Sequence, residues 1–474
     1  MGKKARQRRL RRGKEQEAAA PADRAGMTAV EYWAVLGLGI AFCLAVAVQL
    51  GGTTPEGSLQ LTHWTPWRDL GIFRTSAILF APFPLIAWVL WRAEKDSPPR
   101  PSLSLALLAL SSVGLQALGM MADPRGLELL PRIVVSPAAT SYYIDAVRIG
   151  RLTEWLRHYH EIGLEYHSLT HPPGPILFYY LVAKLFGPVR GAAAGGWAVG
   201  VLASCGVIVM YWFAGLWTAD RRTRLTASAW YTLIPALTLF FPEFDQVYPI
   251  LTMLLAICWV KALEGPGAKA ALGAGAVLFL ATFFAYNLLV LGVFLAYYGL
   301  YWVWRTRDPR TLLRISGIVL GTFASLYGAL WLATGFHPVE ALRRALAVQA
   351  VFGAELHRRY WPFIALDLYD FFLGAGMLAF ALLLIQLRRQ FRHWDARRKD
   401  QALTLISLAT ILTVDLSGLL RGETARVWLF LQPLLAAPVA LGLAKAPWRW
   451  KLAIFALQWW ILACLKAKMT FLDA

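Results

Sequence analysis

Long apolar runs recur along this chain from about residue 31 to about residue 465, and the basic residues fall in short clusters between them. A helical run of roughly 17–25 apolar residues crosses the hydrocarbon of a bilayer. The runs lie at about 31–50, 72–92, 102–121, 193–217, 225–241, 249–264, 269–285, 287–304, 312–334, 362–387, 402–419, 428–444 and 449–465. They predict an all-α polytopic membrane protein with about thirteen spans. The composition agrees, because 58% of the 474 residues are hydrophobic and only 16% are charged, more than a soluble core conceals.

Orientation follows from the basic clusters. Arg92, Lys95 and Arg100, then Asp220-Arg221-Arg222-Thr223-Arg224, then Arg305–Arg310 and Arg388–Lys399 are expected in the cytoplasm, where lysine and arginine collect. The same rule places the N-terminus inside and the loops rich in acids and histidines outside. It also puts the C-terminus outside, where Lys466 and Lys468 are out of keeping. The net charge of +19 is therefore an orientation signal and does not imply nucleic acid. The opening MGKKARQRRLRRGKEQE and the Ala/Pro-rich run after it read as a disordered cytoplasmic tail over about 1–30, and not as a signal peptide. A two-span hairpin at about 31–92 follows, then a core at about 102–305 with a large outer loop at about 122–192, then a C-terminal region at about 306–474. Cys43, Cys205, Cys258 and Cys464 all fall inside apolar runs and read as small packing residues.

The outer loop carries the densest chemistry. Its stretch Ser141–Gly187 holds Asp145, Glu154, Glu161 and Glu165 with His158, His160, His167 and His171, then breaks at Pro172-Pro173-Gly174. The segment Pro175–Gly187 reaches only about 20 Å as a helix, so it is expected to lie at the outer interface rather than to span. If Tyr142–Glu161 is one helix, Asp145, Ile149, Leu152, Leu156 and Tyr159 share a face that turns the carboxylate inward. A base serving both a lipid-linked donor and a polar acceptor belongs at that depth, the competing reading being a helix-terminal acid favoured by the dipole. His171 precedes a proline-fixed helix start suited to anionic phosphate, or simply to starting a helix.

Other residues on the same side join the candidates. Asp245 lies in PEFDQVYP, and Glu423 and Arg426 stand one turn apart in RGETAR, suited to a sugar hydroxyl and a phosphate or to an interfacial ion pair. Asp367, Asp370 and Asp415 sit at the outer ends of spans, where a charge is costly unless it reaches water or a partner. The set His158, His160, Glu161, Glu165, His167 and His171 matches no fixed zinc pattern. It reads as polar loop residues and phosphate contacts, with a divalent metal as the competing reading and no cofactor required.

An outer-loop aspartate, an amphipathic helix, HPPG before a short helix and an acid in the next outer loop together resemble the GT-C superfamily of polyprenyl-phosphate-dependent glycosyltransferases. The chain is similar to the protein O-mannosyltransferases and the bacterial lipid A aminoarabinose transferases over about 102–305. It departs from them in offering one acid at Ile144-Asp145-Ala146 where a pair is common, so Asp123 is a rival base. Gly174 also stands where leucine is more usual, and the spans at about 31–92 have no counterpart in the resemblance.

The resemblance implies an inverting transfer of a sugar from a polyprenyl-phosphate donor to an unidentified acceptor on the extracytoplasmic face. Asp145 would be the base, and Arg148, His171, Arg426 or the outer-loop Arg343, Arg344, Arg358 and Arg359 would hold the leaving phosphate. Asp245, Glu423, Glu165 and His167 would contact substrate. Membrane lipid is a partner in this reading and nucleic acid is not. No nucleotide-phosphate loop is present. The alternative from another class is a transporter or lipid flippase, with the acids near the spans as its carriers.

Overall fold

The structure, a computed structural model, describes residues 27–47, 70–95, 101–137, 139, 141–265, 267–355 and 359–469. Most of the basic tail and Arg358 lie outside the described residues. The described chain is all-helical and polytopic. Eight helices are long and apolar enough to cross a membrane, and two bent pairs raise this to ten. The three remaining expected spans are accounted for by length and breakage. Ala268–Phe284 and Leu429–Ala444 are apolar but shorter, and the run at 225–241 breaks after Arg221–Thr232 at Pro235 before resuming as Ala236–Leu239.

The helix ends follow local chemistry. Asp220 accepts from the backbone N–H of Arg222 and Thr223 at 3.2 and 3.0 Å, capping Arg221–Thr232. Asp308 does the same for Thr311 at 3.1 Å ahead of Pro309, and Gly335 ends that helix with φ 76°. The helix Gly174–Ala214 is really two, because Gly187 has φ 79° and ψ 159° and Pro188 follows it. The expected short element after HPPG therefore exists, and it joins the long helix at an elbow. The run expected as one span at about 362–387 is instead Tyr360–Ala375 and Leu378–Arg392, bent by 102° at Gly376.

Such breaks leave backbone carbonyls without partners where water is scarce, a cost of several kcal/mol each (roughly) in hydrocarbon. Buried glutamines meet them. Gln458 Nε2 donates to Leu233 O at 3.2 Å and Ala375 O at 2.9 Å, serving two breaks at once. Gln432 Nε2 donates to Phe371 O at 3.1 Å, and Gln246 Nε2 donates to Leu237 O. These polar residues are part of the helix-breaking architecture.

Charge pairing sorts the segments by side. Glu94 joins Arg222 and Lys451, Arg389 meets Glu31 at 3.4 Å, and Lys399 meets Glu264 at 2.7 Å. All of these belong to turns expected on one side of the membrane. The segments expected on the other side meet each other as well: Arg426 with Glu243, and Arg344 with the Tyr159 carbonyl. The first described helix, Ala29–Ala47, packs on the last described one, Trp448–Lys468, through a stacked Tyr32–Trp450 pair at 4.9 Å. Cys43 and Cys464 are buried on these two helices, whereas Cys205 is exposed and Cys258 half-buried; all four are free thiols.

Candidate functional site

The stretch after Ser136 folds as a chain of short helices. Ser141, buried with φ 53°, starts Tyr142–Val147 and accepts at its Oγ from the Ser168 N–H at 3.3 Å. The single helix expected over 142–161 is two, Tyr142–Val147 and Leu152–Arg157, separated around Gly150. The glycine interrupts the helix, yet most of the inward set survives: Asp145, Ile149, Leu156 and Tyr159 are buried, whereas Leu152, which opens the second helix, is only half-buried. Burial sorts these side chains regardless of the break.

Asp145 is 3% exposed and accepts from the Glu165 backbone N–H at 3.1 Å. Arg148 Nη1 lies 3.7 Å from Asp145 and 2.7 Å from Glu165. Burial raises the Asp145 pKa from its ordinary value, against the opposing hydrogen bonds from Ser168 and the Glu165 amide. A carboxylate so placed is a stronger proton acceptor than a free one. The rival Asp123 is tied within its own turn, accepting from Arg125 N at 3.0 Å and Arg125 Nε at 3.1 Å. Its charge is matched within that turn by Arg125.

His171 departs from the expectation of a phosphate contact. Its Nδ1 lies 2.8 Å from the His167 carbonyl, which only accepts, so Nδ1 carries the hydrogen and Nε2 presents a lone pair. Burial, with Arg426 adding repulsion, lowers its pKa to about 4. A neutral ring whose free nitrogen accepts is suited to a hydroxyl and not to an anion. His167 supplies the carbonyl, so its backbone positions His171, and its ring packs on Tyr166. Gly174 has a steric reason to be glycine. A Cβ there would overlap the Phe283 carbonyl oxygen and sit 3.0 Å from Phe284 Cα, so a leucine has no room.

The second half of the site assembles around Arg426. Its Nη1 reaches Glu243 at 2.9 Å and its Nη2 reaches Glu423 at 2.5 Å. Burial works against the Arg426 charge, yet Glu243, Glu423 and Asp245 together hold its pKa well above the ordinary arginine value. Burial raises Glu243, with Arg426 opposing and Asp245 and Glu423 adding repulsion. Glu243 and Glu423 already take both guanidinium nitrogens, so the fold engages Arg426 with acids where the sequence reading expected a phosphate. The sequence reading missed Glu243. Its signal was present, since PEFD holds two acids, but only the fold shows which one forms the ion pair with Arg426.

Tyr142 joins the two halves. It lies one turn before Asp145, its ring meets His171 edge-on at 5.3 Å, and burial followed by the Asp245 charge raises its pKa while Arg426 opposes. Asp145, HPPG, PEFD and RGETAR thus converge on one region.

The remaining candidates take other roles. Asp367 Oδ1 accepts from Gly422 N at 2.8 Å and Asp370 Oδ2 from Ala425 N at 3.0 Å, pinning the RGETAR turn, where Gly422 and Glu423 have φ of 81° and 54°. Arg344 donates to the carbonyls of Tyr159 at 3.0 Å and Ile162 at 2.6 Å, clamping the outer loop rather than awaiting a phosphate. Arg343 pairs with Glu340 at 2.7 Å, and Arg359 is exposed at a helix start. His158 pairs with Glu161 at 2.9 Å and His160 faces His337 at 5.4 Å. Among the described residues no group of three or more His, Cys, Asp or Glu is arranged to hold a metal. Asp415 is 2% exposed and its two carboxylate oxygens lack hydrogen bonds. Compared with known proteins, the sequence matches no family model and no curated protein.

Proposed function

We propose that this protein is a membrane glycosyltransferase that moves a sugar from a polyprenyl-phosphate donor to an acceptor on the extracytoplasmic face, with inversion. The observation that carries the reading is Asp145: a buried carboxylate of raised basicity, one turn from a tyrosine whose ring meets His171 and whose hydroxyl feels the charges of Asp245 and Arg426. In the proposed reaction Asp145 takes the proton of the acceptor hydroxyl as its oxygen attacks the anomeric carbon. The bond from that carbon to the lipid phosphate breaks, and the phosphate leaves with the electron pair. Arg148, 3.7 Å from Asp145, keeps the carboxylate ionised, and Glu165 orients Arg148. His171 Nε2 and the carboxylates about Arg426 accept from sugar hydroxyls.

The test is Asp145→Asn in purified protein given a radiolabelled polyprenyl-phosphate sugar. Transfer falls by at least about 100-fold, the usual size of general-base catalysis, while folding is retained. The wild-type rate falls as the pH drops through an Asp145 pKa displaced above 3.8, because only the ionised form accepts the proton. Undiminished transfer by the asparagine variant would remove Asp145 as the base. A transporter is the second reading, and the 102° bend at Gly376 with the unbonded Asp415 favours it. Substrate movement across proteoliposomes without any sugar transfer would decide for it.

A further inference from the structure

A general base works only while it is ionised, and burial resists that ionisation. Asp145 therefore depends on the groups that donate to it. Arg148 stays 3.7 Å away and lies closer to Glu165, at 2.7 Å. The direct donors are the Glu165 backbone N–H, at 3.1 Å, and the Ser168 hydroxyl. Both come from one turn, because Glu165 stands at the N-cap of the helix Tyr166–Leu169 that holds Ser168.

Behind Ser168 stands Ser141. An ionised carboxylate only accepts, so the Ser168 hydroxyl hydrogen is committed to Asp145. The Oγ atoms of Ser141 and Ser168 lie 3.4 Å apart, and the hydrogen between them then comes from Ser141. Ser141 Oγ also accepts from the Ser168 backbone N–H at 3.3 Å. Both serines are fully buried. Ser141 occupies this place in a strained backbone, since its φ of 53° lies in the left-handed region that glycine adopts freely. The hydroxyl is what a glycine there would lack.

We propose that Ser168 and Ser141 are positioning residues for the base: their hydroxyls form a directed chain, Ser141 to Ser168 to Asp145, that keeps the buried carboxylate ionised. The role of Asp145 as base rests on the transferase reading, whereas the chain itself does not. The link to the charged carboxylate is the strong one. The link between the serines is longer than the usual O–H···O distance, so Ser141 acts more weakly, by polarising the Ser168 hydroxyl.

The experiment titrates Asp145 in the full chain in nanodiscs by carbon NMR of labelled aspartate, with Asp145→Asn to assign the signal. Ser168→Ala removes a hydrogen bond to a charged group and raises the Asp145 midpoint by about one pH unit. Ser141→Gly relaxes the backbone and raises the midpoint less, by about 0.3 unit. Arg148, Glu165 and Tyr159, the charged and titratable groups that act on Asp145, are unchanged in both variants. Loosened packing would instead admit water to Asp145 and lower the midpoint, so the sign separates a donor from a packing residue. With a radiolabelled polyprenyl-phosphate sugar, the acid limb of the transfer rate moves up by the same amount as the midpoint. An unmoved or lowered midpoint in Ser168→Ala overturns the proposal, and an unmoved one in Ser141→Gly overturns the first link of the chain. A raised midpoint in a protein that transfers no sugar would sink the transferase reading and leave the chain standing.

Discussion

Gly174 offers a prediction whose sign can be worked out from the backbone alone. In Gly174→Ala the new Cβ overlaps the Phe283 carbonyl oxygen and lies 3.0 Å from both the Phe283 carbonyl carbon and Phe284 Cα. All three neighbours are backbone, so no side chain can rotate away, and the HPPG helix must shift from the end of Ala268–Phe284. Overpacking of this kind costs about 1–3 kcal/mol. Position 174 opens its helix, so the gain in helix propensity is small. Gly317→Ala is the matched control: it lies within Pro309–Thr334 and a Cβ there meets nothing within 4 Å. Relief of backbone freedom should make that variant as stable as the parent or up to about 1 kcal/mol more so. Equilibrium unfolding in mixed micelles, titrated with sodium dodecyl sulfate and followed by tryptophan fluorescence, reads both. Because the shift also displaces His171, the proposed transfer should fall in Gly174→Ala further than the lost folded fraction explains. Parental stability in Gly174→Ala, or equal destabilisation in the two variants, would refute the steric reasoning.

The remaining predictions concern the ion pairs of the outer side. Arg426→Gln leaves Glu243 and Glu423 without their cation and should destabilise by about 3–5 kcal/mol. Adding Glu243→Gln to that variant should recover part of the loss, and simple additivity in a double-mutant cycle would argue that the two do not act as a pair. Arg344→Ala removes two charge-assisted hydrogen bonds to the Tyr159 and Ile162 carbonyls, each worth about 1.5–3 kcal/mol. Trypsin should then cut after Arg151 or Arg157 faster than in the parent, and an unchanged cleavage rate would show that the clamp is not what holds this loop.

What the chain reveals on its own is what depends on nearby residues and on the solvent around them. Apolar runs and their basic gaps specified an all-helical polytopic protein, because length and hydropathy alone decide what lipid accepts. The same signals placed Glu94, Arg222 and Lys451 on one side, and the structure joins them. Asp145 was legible as an inward acid because its apolar companions repeat at helical spacing, and burial kept all but Leu152 inward even though Gly150 divides the helix. Spacing carries no information on partners far apart in the chain. Glu243 and Arg426 are 183 residues apart, and only packing shows that this guanidinium is neutralised by carboxylates. Packing likewise turned Asp367 and Asp370 into supports for a turn and Arg344 into a clamp. The tautomer of His171 depends on a carbonyl aimed at Nδ1, a direction that no one-dimensional pattern encodes. The local sequence thus determined which segments enter the bilayer and which face the core. The tertiary structure decided which charges remain unpaired at the site, because pairing depends on distances between helices that the order of residues does not contain.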